Sequence, residues 1–202
     1  MHIGSLKSYK MLENLNILLG VAGGVAAYKA VDLASKLTAR GAGVSTVMTE
    51  SACRFVSPKS FEAVTGSAVY TTMWNAPDDH KISHIALVDS ADVVVVSPAT
   101  ANIIGKIANG ICDDLLSTVL CACWPRIESG AALLAPAMNN NMWANPVVQN
   151  NVKTVKELGF QLIGPVEGRL ACGAKGLGRM SEPQDIITAI ERIAPKIKKR
   201  DS

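Results

Sequence analysis

The sequence is poor in aromatic residues, at 4%, and carries almost no net charge, +3 at pH 7. So slight a charge argues against a basic nucleic-acid surface and against a polybasic membrane anchor. The longest basic cluster, at 196–200, lies at the C-terminus and reads as a solvated tail. No run approaches the about 20 unbroken apolar residues of a transmembrane helix. Residues 1–14 are mixed and polar, without the apolar stretch of a signal peptide, and read as a disordered leader. The cysteines (Cys53, Cys112, Cys121, Cys123 and Cys172) are odd in number, which disfavours a disulfide framework and points to a reducing compartment. None has zinc-site spacing, since a single residue separates Cys121 from Cys123. A soluble, cytoplasmic protein is expected, with no nucleic-acid, membrane or metal partner.

What the chain does have is small aliphatic side chains, in a composition that is 49% hydrophobic. Ala, Val, Ile and Leu let a sheet and its covering helices approach closely, and the length of 202 residues suits one domain. Strand-like and helix-like segments alternate from end to end. An apolar run at 16–21 precedes Gly23 and Gly24, and then Ala30, Leu33, Ala34 and Leu37 fall at i, i+3, i+4 and i+7. Gly41 is a plausible stop for that helix. Further strands are expected at 44–48, 93–96, 131–135 and 160–163, with helices at 57–64, 113–123 and 146–158. Four consecutive valines at 93–96 suit a strand buried on both faces, as a parallel sheet requires. In the last helix Ser181 and Gln184 have capping-box spacing, Ile186, Ile190 and Ile193 form the stripe, and Pro195 is the expected end. With no internal repeat and no linker, the chain reads as one doubly wound α/β domain over 15–198, which binds its ligand where the strands end.

Four motifs follow strands. The turn GVAGGVAAY, Gly20 to Tyr28, can present backbone N–H groups and a helix start to a phosphate, or can be only a tight turn. It is not G-x-G-x-x-G, and near Glu50 the hydroxyls of Thr49 and Ser51 look more useful than a ribose-binding acid, which leans towards a mononucleotide. Ser97-Pro-Ala-Thr-Ala-Asn102 either caps a helix or binds a ribityl chain or phosphate. In Pro136-Ala-Met-Asn-Asn-Asn-Met-Trp143, three asparagines stand beside apolar residues that could wall a flat ring or belong to the core. The segment 168–180 reads as mobile and tight-turning, with four glycines and Cys172. A cysteine is most often a buried inert thiol, but a glycine-rich loop is a poor place to bury one. His84 stands among apolar residues, where a satisfied structural histidine is the ordinary reading; His2 and His80 lie in unpatterned segments.

Taken together from about Asn16 to Ile193, the glycine turn, the His-Ile at His84, Ser-Pro-Ala-Thr-Ala-Asn, Pro-Ala-Met-Asn-x-x-Met-Trp and Ala-Cys-Gly followed by Gly-Arg-Met resemble the homo-oligomeric flavin-containing cysteine decarboxylases. The resemblance implies a flavodoxin-like (Rossmann-like) fold with FMN at subunit contacts in a homotrimer, or in multiples of trimers. By the family's pattern His84 is the catalytic base, Asn139 holds the substrate carboxylate and Cys172 donates a proton. Gly24, Val25, Thr49, Ser51, Thr100, Asn102 and Ala137 fall on flavin-binding positions, and Ala171 and Met180 on a flap over the substrate. Two departures stand out: Ala22 replaces a frequent Ser before the glycine pair, and the chain stops before the ligase domain fused to many relatives. It is then either a free-standing decarboxylase or an excised part of a fusion.

The implied reaction is decarboxylation of 4′-phosphopantothenoylcysteine to 4′-phosphopantetheine, in coenzyme A biosynthesis. Losing CO2 from an N-acylated cysteine leaves a carbanion with no stabilisation. Oxidising the thiol to a thioaldehyde puts C=S β to the carboxylate, so that CO2 loss gives an enethiolate, which is then re-reduced. Neutral imidazole at His84 suits the first step near pH 7. Asn139 can hold the carboxylate without a cation that would stabilise the ground state. Cys172 would be a mostly protonated final acid. A peptidyl-cysteine oxidative decarboxylase would lack that cysteine, a flavin prenyltransferase would need a prenyl-phosphate site, and a non-catalytic regulator would carry long tails or have lost a catalytic position.

Overall fold

A strand buried on both faces must alternate its side chains between two cores, and the central strands here do so. The computed structural model describes residues 12–74, 84–169, 173 and 175–198. In chain order it contains β1 (Asn16–Val21), α1 (Ala27–Ala39), β2 (Gly43–Met48), α2 (Glu50–Cys53), α3 (Pro58–Thr65) and β3 (Val69–Tyr70). Then come α4 (His84–Asp89), β4 (Val93–Ala99), α5 (Ala101–Asn109), α6 (Leu115–Ala122), α7 (Trp124–Glu128) and β5 (Ala132–Pro136). The described chain ends with α8 (Asn140–Ala144), α9 (Pro146–Glu157), β6 (Gln161–Leu162), β7 (Val166–Arg169), β8 (Lys175–Arg179) and α10 (Pro183–Lys198). Six strands pair in parallel in the order β3-β2-β1-β4-β5-β6, and β7 and β8 form a separate antiparallel hairpin.

Ile17, Leu19, Val21, Val93 and Val95 face one core, with Leu33 and Leu37 of α1 and Ile186 and Ile190 of α10. Leu18, Val94 and Val96 face the other, with Ile103 and Ile104 of α5, Leu116 and Val119 of α6 and Val155 of α9. Each of these side chains is fully or almost fully buried, which stabilises the fold by about 1.5–3 kcal/mol per large aliphatic side chain before entropy is set against it. The doubly wound sheet expected from the sequence is thus observed. Its chain order reverses between β1 and β4, the switch point at which such folds bind ligands.

Several boundaries differ from the sequence reading for identifiable reasons. Leu12, placed in a polar leader, is fully buried in the α1 core, and Leu15 N–H donates to its carbonyl. β4 continues through Ser97 and a cis Ser97–Pro98 bond to Ala99, so the serine is buried in the strand instead of following it. Ser181 does not cap α10; its hydroxyl donates to the Ile163 carbonyl, and Glu182 N–H donates to Asp185 Oδ2 at 3.2 Å, one residue further on. Pro195 does not end α10, which runs to Lys198, because a proline near a helix end forfeits only one of the last bonds. Residues of the segment read as mobile and tight-turning form the two strands of the hairpin. Among the described residues no helix is long and apolar enough to cross a membrane.

Candidate active site

The carboxyl ends of β1, β4 and β5 open into a cleft of about 920 Å3, closed on one side by the hairpin. Its first wall is the glycine turn, Gly23 to Ala26, continued by Tyr28 and Lys29 of α1. Gly23 must be glycine because a Cβ there would lie 2.3 Å from Ser51 Cβ and 2.8 Å from the Ser51 carbonyl carbon. Gly24 has more room, its nearest neighbour being Thr100 Cγ2 at 3.5 Å. Side-chain oxygens of Ser57, Thr100, Asp114 and Asn145 cap α3, α5, α6 and α9, whereas α1 begins at Ala26 with no side-chain cap. The start of α1 therefore faces the cleft with no side-chain acceptor in place, and of its N–H groups those of Ala27 and Lys29 donate to the Gly24 and Ala26 carbonyls.

Thr100, Ala101 and Asn102 at the start of α5 form the second wall. The Thr100 hydroxyl accepts from Ile103 N–H at 3.4 Å, so this residue caps a helix and lines the cleft at once. Ala137, Met138, Asn139 and Met142, after β5, form the third. Asn139 Oδ1 accepts from Asn141 N–H at 2.8 Å as the cap of α8, which fixes the amide's orientation. Met138 N–H donates to the Gly178 carbonyl at 2.9 Å and so ties this loop to β8. A Cβ on Gly178 would fall 2.3 Å from the Met138 carbonyl oxygen, so only glycine permits the approach.

The hairpin supplies the fourth wall, through Arg169, Gly178, Arg179 and Met180. Lys29, Arg169 and Arg179 make the cleft cationic, and among the described residues no carboxylate lines it. Glu182 lies just behind. Its Oε1 accepts from Lys29 Nζ at 2.8 Å and pairs with Arg179, and the Lys29 hydrogen bond is the main cause that holds its carboxyl below the usual range.

Of the residues singled out in the sequence, Gly24, Val25, Thr100, Asn102, Ala137, Asn139 and Met180 line this cleft. Thr49 and Ser51 stand behind it: Thr49 caps α2, accepting from Ala52 N–H at 3.1 Å, and Ser51 abuts Gly23. His84 opens α4 and is not among the lining residues. Met180 lines the cleft and is 1% exposed, and its sulfur accepts from Ser97 Oγ at 3.3 Å. Ala171 and Cys172 lie outside the described residues. Ala22 is buried in the α5–α6 core and does not line the cleft, so that departure from the family pattern leaves the walls unchanged. The sequence reading missed Lys29, Arg169 and Arg179 as cleft cations. Lys29 was legible as a charge in the first turn after the glycines, whereas the arginines needed the hairpin pairing.

The parallel sheet, with its cleft and glycine turn at the switch point, defines a domain of flavodoxin-like fold. The chain belongs to the Flavoprotein family, whose model matches residues 5–194. The coenzyme A biosynthesis bifunctional protein CoaBC of Bacillus subtilis (strain 168) is 48% identical over 182 residues, covering 90% of this chain and 44% of that protein. The chain thus spans about half the length of the CoaBC relatives it matches. A PPC decarboxylase mutant, solved in complex with pantothenoylaminoethenethiol, is 36% identical with a TM-score of 0.78, over 89% of this chain and 97% of that one. The FMN-binding protein AtHal3 is also 36% identical, with a TM-score of 0.75 over 90% of this chain and 97% of its own.

Proposed function

We propose that this domain, over 15–198, is an FMN-dependent carboxy-lyase that converts 4′-phosphopantothenoylcysteine to 4′-phosphopantetheine, acting in the cytoplasm as a homotrimer or a multiple of one. The observation that carries the reading is a cationic cleft, with no carboxylate among its described lining residues, into which α1 opens without a side-chain cap. Its likeness to a PPC decarboxylase and to an FMN-binding protein over nearly their whole lengths supports it. The residues present fit the cofactor. The α1 start, with Gly24 and Val25, would accept its phosphate, and Thr100, Asn102 and Ala137 its ribityl chain and ring. FMN, when bound, supplies the electron sink that an N-acylated cysteine lacks.

In this reading Asn139, held by its cap bond, presents a neutral amide to the substrate carboxylate, which holds that group without the ground-state stabilisation a cation in contact would add. His84 takes the thiol proton, and Cys172 returns a proton at the end. Since His84 does not line its own chain's cleft, the trimer reading supplies it from a neighbouring copy. Exposed Val25, Tyr28 and Met142 around the cleft, and Ile85 beside His84, are apolar surface that such a neighbour would cover. The test is to release and identify the flavin, then follow anaerobic turnover of 4′-phosphopantothenoylcysteine by mass spectrometry. CO2 and the saturated thiol are expected; in Cys172→Ala the product should stop at the enethiol, two hydrogens lighter. Protein that cannot be loaded with FMN, or that leaves the substrate intact, overturns the proposal.

A further inference from the structure

The hairpin carries a charge arrangement that the fold does not require. Arg169 and Lys175 are directly opposite in the β7–β8 register, so their side chains leave the same face of the hairpin. Both residues are exposed, and Arg169 lines the cleft. Like charges directly opposite destabilise a strand pair, and this pair has no compensating partner: among the described residues neither side chain makes an ion pair. Glu167 shares their face two residues back and is unpaired in the same sense, so the face keeps an excess positive charge. The other two cleft cations are committed differently. Lys29 and Arg179 both reach Glu182, and Lys29 is at the flavin wall, in the first turn of α1.

We propose that Arg169, with Lys175 opposite, forms a second anion subsite in the cleft, which takes the terminal phosphate of the substrate. The flavin phosphate belongs at the α1 start, on the far wall. Asn139 holds the carboxylate end of the substrate, which leaves its phosphate as the anion without a partner. A guanidinium presents a planar fork that suits phosphate oxygens, and the ammonium adds a point charge. The subsite makes the enzyme select for phosphorylated over unphosphorylated pantothenoylcysteine.

This inference rests on the decarboxylase reading, and its test separates the two. The FMN-loaded protein is assayed on 4′-phosphopantothenoylcysteine and on pantothenoylcysteine, as parent, Arg169→Gln, Arg169→Lys and Lys175→Gln, with flavin content measured in each. The parent should favour the phosphorylated substrate in kcat/KM. Arg169→Gln should cut that preference by about 10- to 100-fold, mainly through KM, as expected for loss of a charge-assisted hydrogen bond. Lys175→Gln should cut it less, and Arg169→Lys should retain part of it. Equal kcat/KM for the two substrates in the parent overturns the subsite and leaves the decarboxylase reading standing. So does an equal loss on both in Arg169→Gln, or an unchanged preference in Lys175→Gln should Arg169→Gln fail to fold. A parent that turns over neither substrate overturns the functional reading, and the subsite falls with it.

Discussion

The two sides of the cleft are built by different means. On the proposed flavin side the wall is backbone, a turn between a central strand and a helix, with Val21 and Ala27 fully buried at either end. On the hairpin side the wall is side chains, carried by a two-stranded ribbon whose residues are mostly exposed. Two strands alone are marginally stable in water; this pair is fixed by the bond from Met138 N–H to the Gly178 carbonyl and by burial of Met180. A backbone wall accepts a ligand by shape and by N–H direction, so changes there act through backbone position. A side-chain wall can be altered one group at a time without moving the rest.

The largest expected effects fall on side chains outside both of these walls, and they test whether turnover can be disabled while the backbone wall is kept. Asn139→Asp preserves the acceptor oxygen that caps α8 but, in the proposed reading, sets a negative charge against the substrate carboxylate. Like charges in a desolvated site cost about 3 kcal/mol or more, so turnover should fall by at least about 100-fold with flavin content unchanged. His84→Asn should be as inactive. Co-expressed, the two variants should form mixed oligomers that regain a fraction of parent turnover, because one interface can pair an intact Asn139 cleft with an intact His84. No recovery in demonstrably mixed oligomers would place both residues in one chain's site. Loss of flavin from Asn139→Asp would show that the two halves are not separable.

A smaller effect is expected at the backbone wall, with the opposite signature. In Gly23→Ala the new Cβ would collide with Ser51, and overpacking of this kind costs about 1–3 kcal/mol. At about 2–4 °C per kcal/mol for a domain of this size, melting should fall by several degrees, and flavin content should fall with it. Gly24→Ala is the contrast. Its Cβ would meet Thr100 Cγ2 at an ordinary 3.5 Å, so the fold should melt within a degree or two of the parent while flavin affinity drops. Normal flavin loading in both variants would mean that the turn is only a tight connection.

This division also marks what could be read in the sequence. The sheet was legible because burial on both faces leaves continuous apolar runs, as in the valines at Val93 to Val96, and because α1 keeps one stripe, Ala30, Leu33, Ala34 and Leu37. The motifs after β1, β4 and β5 were legible because the ends of parallel strands are where such a fold places ligands. The hairpin was not. Gly168, Gly176 and Gly178 carry no alternation of apolar and polar side chains, and Gly176 and Gly178 pack against Asn140 and the Met138 carbonyl, far away in sequence. Ser181 was misread for the same reason: its partner is the Ile163 carbonyl, across the fold, and not its own helix.

Glu182 joins the two sides of the cleft, and its removal should have a smaller effect than any of these substitutions. It bonds Lys29 on the flavin side and Arg179 at the end of β8. Its side chain is 48% exposed, so solvent screens both pairs and Glu182→Gln should cost only about 0.5–1 kcal/mol. The pH dependence identifies the cause. Because Lys29 lowers the Glu182 pKa below its ordinary 4.5, the carboxylate's contribution is complete above that value and is lost as pH falls through the lowered one. The stability gap between parent and Glu182→Gln should therefore be constant from neutral pH down to about pH 5 and close in more acidic solution, as measured by denaturant melts. A gap that persists below pH 3 would mean that Glu182 acts through packing and shape, and that charge does not link the walls.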